Sequence, residues 1–295
     1  MSTEDINPRY LDLDIWSAAE QVRALHEDQL AAVTAVGLAL ASLSAAVEAA
    51  AARLRKSGRI IYAGAGTSAR IGVQDGAELL PTFNWPAERV AFVIAGGEAA
   101  LLRAVENAED SAEDGVGRIA ELGVGANDIV LGIAASGNTP FTVAAVKASR
   151  QRGALTVGIA NNANSQLLAA SEHPVLIETG MEVIAGSTRL KAGTAQKVAL
   201  NLFSTAVMAQ LGRVYRGMMV DMHPTNAKLR HRSEQMVAKI AACGVEAASA
   251  ALGEADGSIK VASLVVMGVS VEAAAALISK HDGNLRAALA EAGRA

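Results

Sequence analysis

The sequence predicts an α/β protein: a three-layer sandwich with a parallel, mostly five-stranded sheet, flanking helices and a small helical bundle at its C-terminal end. Three observations point there. From residue 58 onward, short β-rich runs alternate with helical segments, the pattern of a parallel sheet covered on both faces. Apolar residues make up 51% of the chain but aromatics only 3%, and much of the apolar share is alanine, which favours close-packed helices. Residues 242–295 change character, with Ala-rich segments broken by Gly253, Gly257, Gly268 and Gly283, and read as a three-helix appendage.

Taken in order, residues 1–14 are polar and Pro-interrupted, an extended arm. Residues 17–56 carry apolar positions at helical spacing without proline and predict two helices packed on the sheet domain. The sheet domain, 57–222, has candidate strands at 59–63, 89–95, 128–135, 155–160 and 174–179. Helical patterns occupy 67–80, 97–122, 139–152 and 164–171, and a long helix is expected over 188–212. A connecting helix, within 223–241 and starting near 225, leads to the bundle at 242–295.

The bulk properties exclude several classes. Net charge is −4 with scattered cations, so there is no basic footprint for nucleic acid. The start is too polar for a signal peptide and no uninterrupted run of 18 apolar residues occurs, which predicts a cytoplasmic protein without a membrane partner. The single Cys243 allows no intrachain disulfide or cysteine-based zinc site and reads as a buried helical residue. His26, His173, His223, His231 and His281 lack ligand spacing and read as surface or capping residues, so no metal is expected.

Three loops share one grammar. Gly64-Ala65-Gly66-Thr67-Ser68 lies between a strand and a helix, where backbone N–H groups, the helix dipole and two hydroxyls form an anion site. A dinucleotide would need an acid about 20 residues further on. The second strand instead ends in Ala95-Gly96-Gly97-Glu98, more than 30 residues after Gly64, so NAD is rejected and no cofactor is expected. Ser136-Gly137-Asn138-Thr139-Pro140 repeats the arrangement after the third strand, with proline at a helix's first turn. Ordinary capping explains either loop alone. Two such loops at the carboxyl ends of parallel strands point to a ligand crevice. Gly186-Ser187-Thr188-Arg189-Leu190-Lys191 adds hydroxyls and cations at the start of the long helix. Together they suit a small phosphorylated ligand, bound by Gly66, Thr67, Ser68, Ser136, Gly137, Asn138, Thr139, Ser187, Thr188 and Lys191. No Walker-type P-loop is present.

The stretches GRIIYAGAGTSARIGVQDGAELLPTF, VIAGGEAALLRAVENAED, GIAASGNTP and GSTRLKAGTAQKVALNLFSTAVM closely resemble the N-acetylmuramic acid 6-phosphate etherases of the sugar isomerase (SIS) domain family. The similarity runs from LDLDIWSAAEQVRALHEDQ to DGNLRAAL, nearly the whole chain. The resemblance implies an SIS-type sandwich, a sugar phosphate as ligand, and cleavage of the D-lactyl ether to give N-acetylglucosamine 6-phosphate and D-lactate. It assigns the family's acid/base glutamate to Glu78 and the second catalytic glutamate to Glu109. Without it, Glu78 reads as a solvated helix residue and Glu109 as part of an acidic face. The C-terminal appendage resembles ubiquitin-associated helical bundles in outline.

Glu78 lies ten residues after Ser68, about 15 Å along a continuous helix. Either that helix breaks near Gly72 or Gly76, or Glu78 serves a site completed by another subunit; a homodimer with shared sites is expected. Departures from the family pattern fall at Ala69, at Gly76-Ala77 with Leu79-Leu80, and at Asn138, where an amide replaces the family's arginine. Two alternatives stay open: a sugar-phosphate sensor resembling the glucokinase regulatory protein, and an aldose–ketose isomerase on the same scaffold. Retention of Glu78 and Glu109 favours the etherase.

Overall fold

A computed structural model describes residues 2–55, 57–103, 105–224 and 226–293. The expected boundary at Lys56 and the expected helix start at Thr225 lie outside the described residues. The chain forms two compact units: Met1–Ala77 with Glu88–Ser204, and Glu78–Ala87 with Thr205–Ala295.

In the first unit, α1 (Ala18–Val36) starts on a capping box. The Ser17 hydroxyl accepts from the Glu20 N–H, and the Glu20 carboxylate accepts from the Ser17 N–H. A 3₁₀ turn, Gly37–Ala39, joins it to α2 (Leu40–Leu54). The two expected helices are thus nearly one, Ala18–Leu54, 37 residues with a window of mean hydropathy 2.1 that is 33% buried. By length and composition that stretch is apolar enough to cross a membrane, although threonine, serine and glutamate interrupt it. Leu43, Ala46, Val47, Ala50 and Leu54 form the buried side of α2.

The sheet contains β1 (Ile60–Gly64), β2 (Val90–Ile94), β3 (Ile129–Ala134), β4 (Leu155–Ala160) and β5 (His173–Leu176) in the order β2-β1-β3-β4-β5, all parallel. β1, β3 and β4 are buried along their whole length, as strands covered on both faces must be. α3 (Gly66–Ala77) follows β1 as one uninterrupted helix. Phe141, Val143 and Val146 on the later helix Pro140–Gln151 join Ile61, Val130 and Ile119 in the main core.

The segment expected as one helix over 67–80 ends at Ala77, and a short α4 (Leu79–Phe83) starts afresh. The helix does not break at Gly72 or Gly76. The segment 97–122 divides into α5 (Ala99–Leu102), a 3₁₀ turn at Ala108–Asp110 and α6 (Ala112–Glu121). The cause is local: Arg103 is extended, Asn107 has φ +59°, and Ser111 caps α6 by accepting from the Asp114 N–H at 3.1 Å. Further along come α7 (Pro140–Gln151), α8 (Gln166–Ala170) and the long α9 (Lys191–Gln210).

In the second unit, a short hairpin, β6 (Val214–Tyr215) with β7 (Met218–Met219), turns at Arg216-Gly217, both with positive φ as a type I′ turn requires. α10 (Ala227–Ala241) precedes α11 (Val245–Glu254), α12 (Ile259–Val265), α13 (Val271–Lys280) and α14 (Leu285–Ala292). The appendage therefore holds four helices rather than three, because Ser258, Ser270 and Asn284 each start a new one by accepting a backbone N–H three residues on. In this unit the Arg213 guanidinium lies 5.0 Å from the Trp85 ring centroid and donates to the Phe83 carbonyl at 2.7 Å.

α3 is fastened by a buried carboxyl. Asp75 accepts from the Tyr62 hydroxyl at 2.8 Å, from Asn201 Nδ2 at 2.7 Å and from the Ser204 hydroxyl at 3.0 Å. Burial, and then the Asp75 charge, push the Tyr62 phenol well above its ordinary 10.0. The unfolded chain therefore releases this proton first, so the stability linked to it is intact below pH about 10 and declines above. Tyr62→Phe is expected to cost about 1–3 kcal/mol at neutral pH, by leaving one Asp75 oxygen without its donor, and to remove that alkaline decline. Denaturant melts at pH about 7 and about 11 test this. A decline that persists unchanged in the variant would assign it to another group.

Candidate active site

In a parallel sheet of order 2-1-3-4-5, the connections leave β1 and β3 in opposite directions, which opens a crevice at their carboxyl ends. The three loops named from sequence all belong to the first unit. Gly66, with φ +52°, turns the chain from β1 into α3. Thr67 is half-buried and Ser68 buried. The Ser68 hydroxyl donates to Gln196 Oε1 at 2.9 Å, Gln196 Nε2 to Asn161 Oδ1 at 2.9 Å, and Asn161 Nδ2 to the Ile177 carbonyl at 3.1 Å. The Ser68 proton is thus spent inside the protein, tying α3 to α9 and to the ends of β4 and β5. Neither Gln196 nor Asn161 carried a sequence signal, since their partners are distant in the chain.

After β3, Gly137 has φ +67°, and a Cβ there would stand 2.3 Å from the Ser165 hydroxyl oxygen, so only glycine fits. Asn138, the residue that departs from the family pattern, accepts the Gln166 N–H at 3.0 Å and caps α8. Its own N–H donates to the Ser136 hydroxyl at 3.2 Å. Thr139 precedes Pro140 at the start of α7, and its hydroxyl makes no capping bond. Ser136 and Thr139 are half-buried.

At the third loop the structure differs from the sequence reading. Lys191 is buried, and its ammonium donates to Asp28 at 2.7 Å and to the Met181 carbonyl at 2.5 Å. The start of α9 already holds an anion: the buried Glu182 carboxyl accepts from the N–H groups of Lys191 and Ala192, both at 2.9 Å. Burial pushes Glu182 up from its ordinary value against those two bonds. Ser187 and Thr188 remain half-buried ahead of the helix. The first turn of α9 nevertheless abuts the first loop, because a Cβ at Gly193 would meet the Thr67 methyl at 3.4 Å.

A cavity of about 360 Å³ is lined by Gly66, Thr67, Arg70, Glu106, Asn107 and Glu109, among others. It brings together Gly66, Thr67 and Glu109 from the sequence-named residues; Ser68, Glu78, Ser136, Gly137, Asn138, Thr139, Ser187, Thr188 and Lys191 do not line it. The 3₁₀ turn at Ala108–Asp110 presents Glu109, and the left-handed Asn107 aims that turn. Arg70, one turn along α3 from Gly66, had no sequence signal beyond that spacing. Glu78 follows the last residue of α3, precedes α4 and is exposed, while Leu79 and Phe83 after it are buried.

Breaking the pair between Asp28 and Lys191 leaves one buried charge uncompensated. Lys191→Met is therefore expected to lower unfolding stability by about 3–5 kcal/mol in a denaturant melt. An unchanged melt would mean that Lys191 faces solvent or a ligand.

Comparison with known proteins places this geometry. Residues 42–150 match the glucokinase regulatory protein N-terminal SIS domain, and residues 118–206 match the SIS domain. An N-acetylmuramic acid 6-phosphate etherase of Deinococcus radiodurans is 48% identical over 90% of this chain and 87% of its own. One of Streptomyces avermitilis is 44% identical over 100% of this chain and 95% of its own. One of Rubrobacter xylanophilus is 44% identical over 99% of this chain and 97% of its own. Among solved structures, a ligand-bound protein of E. coli CFT073 superposes with TM-score 0.50 at 17% identity, over 70% of this chain and 97% of that one. A phosphoheptose isomerase from Francisella tularensis gives TM-score 0.50 at 17% identity, over 66% of this chain and 100% of that one. These two speak to the fold alone: an SIS-type parallel sheet with flanking helices.

Proposed function

We propose how this chain works from one premise: it belongs to the N-acetylmuramic acid 6-phosphate etherase family. It is a carbon–oxygen lyase that cleaves the D-lactyl ether of N-acetylmuramic acid 6-phosphate, giving N-acetylglucosamine 6-phosphate and D-lactate. Ring opening exposes the C1 aldehyde, which acidifies the C2 proton. A carboxylate takes that proton, the C2–C3 double bond forms, and lactate leaves C3 with a proton from a general acid. Water then adds, its hydroxyl to C3 and its proton to C2. Glu78 is the proton donor and Glu109 the second acid/base.

The observation that carries this reading is that Glu109 shares a cavity with Gly66 and Thr67 at the start of α3, in a chain so close to the etherases. The phosphate rests on backbone N–H groups and on the hydroxyls of Thr67, Ser136, Thr139, Ser187 and Thr188, with Gly66, Gly137 and Asn138 shaping the loops; Ser68, whose proton goes to Gln196, braces the start of α3 instead. Lys191 acts as an internal strut. Hydroxyl and amide donors suffice at a helix start, where the dipole already favours an anion.

The enzyme works as a cytoplasmic homodimer with shared sites. α3 runs 12 residues without a break, about 18 Å, so Gly66 and Glu78 stand at its opposite ends. One hexose phosphate does not span that length comfortably, and a second copy supplies the missing side. The apolar helical stretch Ala18–Leu54 leaves Leu30, Val33, Leu38 and Leu40 exposed, and a groove of about 620 Å³ is lined by Ile6, Tyr10, Leu11, Leu25, Val183 and Ile184. A second copy covers these faces better than water does.

Glu78→Gln and Glu109→Gln are each expected to slow D-lactate release by about 10²–10⁴-fold while binding of the sugar phosphate persists. Release at the wild-type rate from either variant would reassign that role. Sedimentation is expected to show a dimer, and Leu38→Asp, at a residue 88% exposed in the single chain, is expected to give monomers with little activity. A fully active monomer would overturn the shared site.

A further inference from the structure

We propose that Arg70 recognises the lactyl carboxylate of the substrate and so makes the site select a sugar ether that bears an acid. The proposal rests on the etherase reading above. Among the described residues Arg70 is the single cation that lines the 360 Å³ cavity, which it shares with Glu106 and Glu109. Its guanidinium is oriented before any ligand arrives: Nε donates to the Leu101 carbonyl at 2.9 Å and Nη2 to the Ala100 carbonyl at 2.9 Å. Those two bonds use one Nη2 hydrogen and the Nε hydrogen. They leave the Nη1–Nη2 edge, two parallel N–H groups, which is the fork that matches a carboxylate.

No carboxylate of the protein takes that edge among the described residues, although Glu106 and Glu109 line the same cavity. Charge then sorts the two anionic ends of the substrate. The phosphate carries close to two charges and has its donors at Gly66 and Thr67 and on the hydroxyl-bearing loops at 136–139 and 187–188, which lie outside the cavity lining, so Arg70 is left for the second anion. The lactyl group hangs from C3, the carbon where the ether breaks, so its carboxylate must lie near the group that handles the C2 and C3 protons. Glu109 is that group in this cavity. Without a cation the carboxylate would face Glu109 directly and be repelled; held by Arg70, the leaving lactate is kept in one orientation.

The test compares two ligands that share the phosphate and differ in the lactyl acid. For Arg70→Met, kcat/KM for N-acetylmuramic acid 6-phosphate should fall about 10–100-fold, as loss of a charge-assisted bidentate pair implies. Calorimetric affinity for N-acetylglucosamine 6-phosphate, which lacks the carboxylate, should change less than about twofold. Arg70→Lys keeps the charge without the fork and should fall between wild type and Arg70→Met. Inhibition by added D-lactate should weaken in step. Equal losses for both ligands would mean that Arg70 holds the phosphate or merely braces α5, and would overturn the proposal; so would no loss for either. Wild-type protein that releases no lactate would remove the etherase reading and this proposal with it.

Discussion

The carboxyl of Asp75 sits at the junction of three elements, and the arrangement of the site depends on it. Its oxygens accept from Tyr62 on β1 and from Asn201 and Ser204 on α9, so α3 cannot slide or rotate on the sheet without stranding a buried acceptor. At the other end of α3 a second chain of hydrogen bonds, Ser68 to Gln196 to Asn161, does the same. Arg70 lies between these two fixings and Gly66 and Thr67 just before the first, all three lining the cavity, and α3 ends one residue before Glu78. Gly76 shows how tight the packing is: a Cβ there would come within 2.7 Å of the Phe92 ring and 2.9 Å of Tyr62. The departure from the family pattern at that position is therefore matched by the aromatic pair beneath it.

The electrostatic design separates internal charges from those offered to a ligand. Lys191, which reads from sequence as part of an anion-binding helix start, is turned inward to Asp28, and the buried Glu182 carboxyl takes the helix's own N–H groups. Asn138, which replaces a cation of the family pattern, is likewise committed to joining two loops. What remains open at the cavity is one arginine, two glutamates and the donors at the start of α3. A cavity so furnished suits the proposed proton transfers between carboxyl groups and substrate better than a site built on a crowd of cations.

Much of the fold was legible because its signals are local. Five β-rich runs at the predicted positions became the five parallel strands, and Ser17, Ser111, Ser258, Ser270 and Asn284 mark helix starts that a closer search for caps would have found. The segment 97–122 misled because its composition is helical while Asn107 takes a left-handed conformation that no neighbouring residue announces. Of the residues named for the candidate site, the cavity brings together only Gly66 and Thr67 and, named by resemblance, Glu109; the loops at 136–139 and 187–188 lie outside its lining. Lys191 was not, because a lysine beside hydroxyls looks the same whether its partner is a phosphate or an aspartate 163 residues away. Arg70 was hidden for the converse reason: its worth lies in two carbonyls, of Ala100 and Leu101, that only the folded chain brings to it.

The mechanism turns on removal of the C2 proton before the ether breaks. The direct measurement is turnover of N-acetylmuramic acid 6-phosphate in D₂O, with D-lactate counted and the product sugar examined by NMR. Elimination followed by water addition predicts one lactate per product and deuterium at C2. Stoichiometric lactate with protium retained at C2 would mean displacement without proton abstraction, and would contradict the mechanism at its first step.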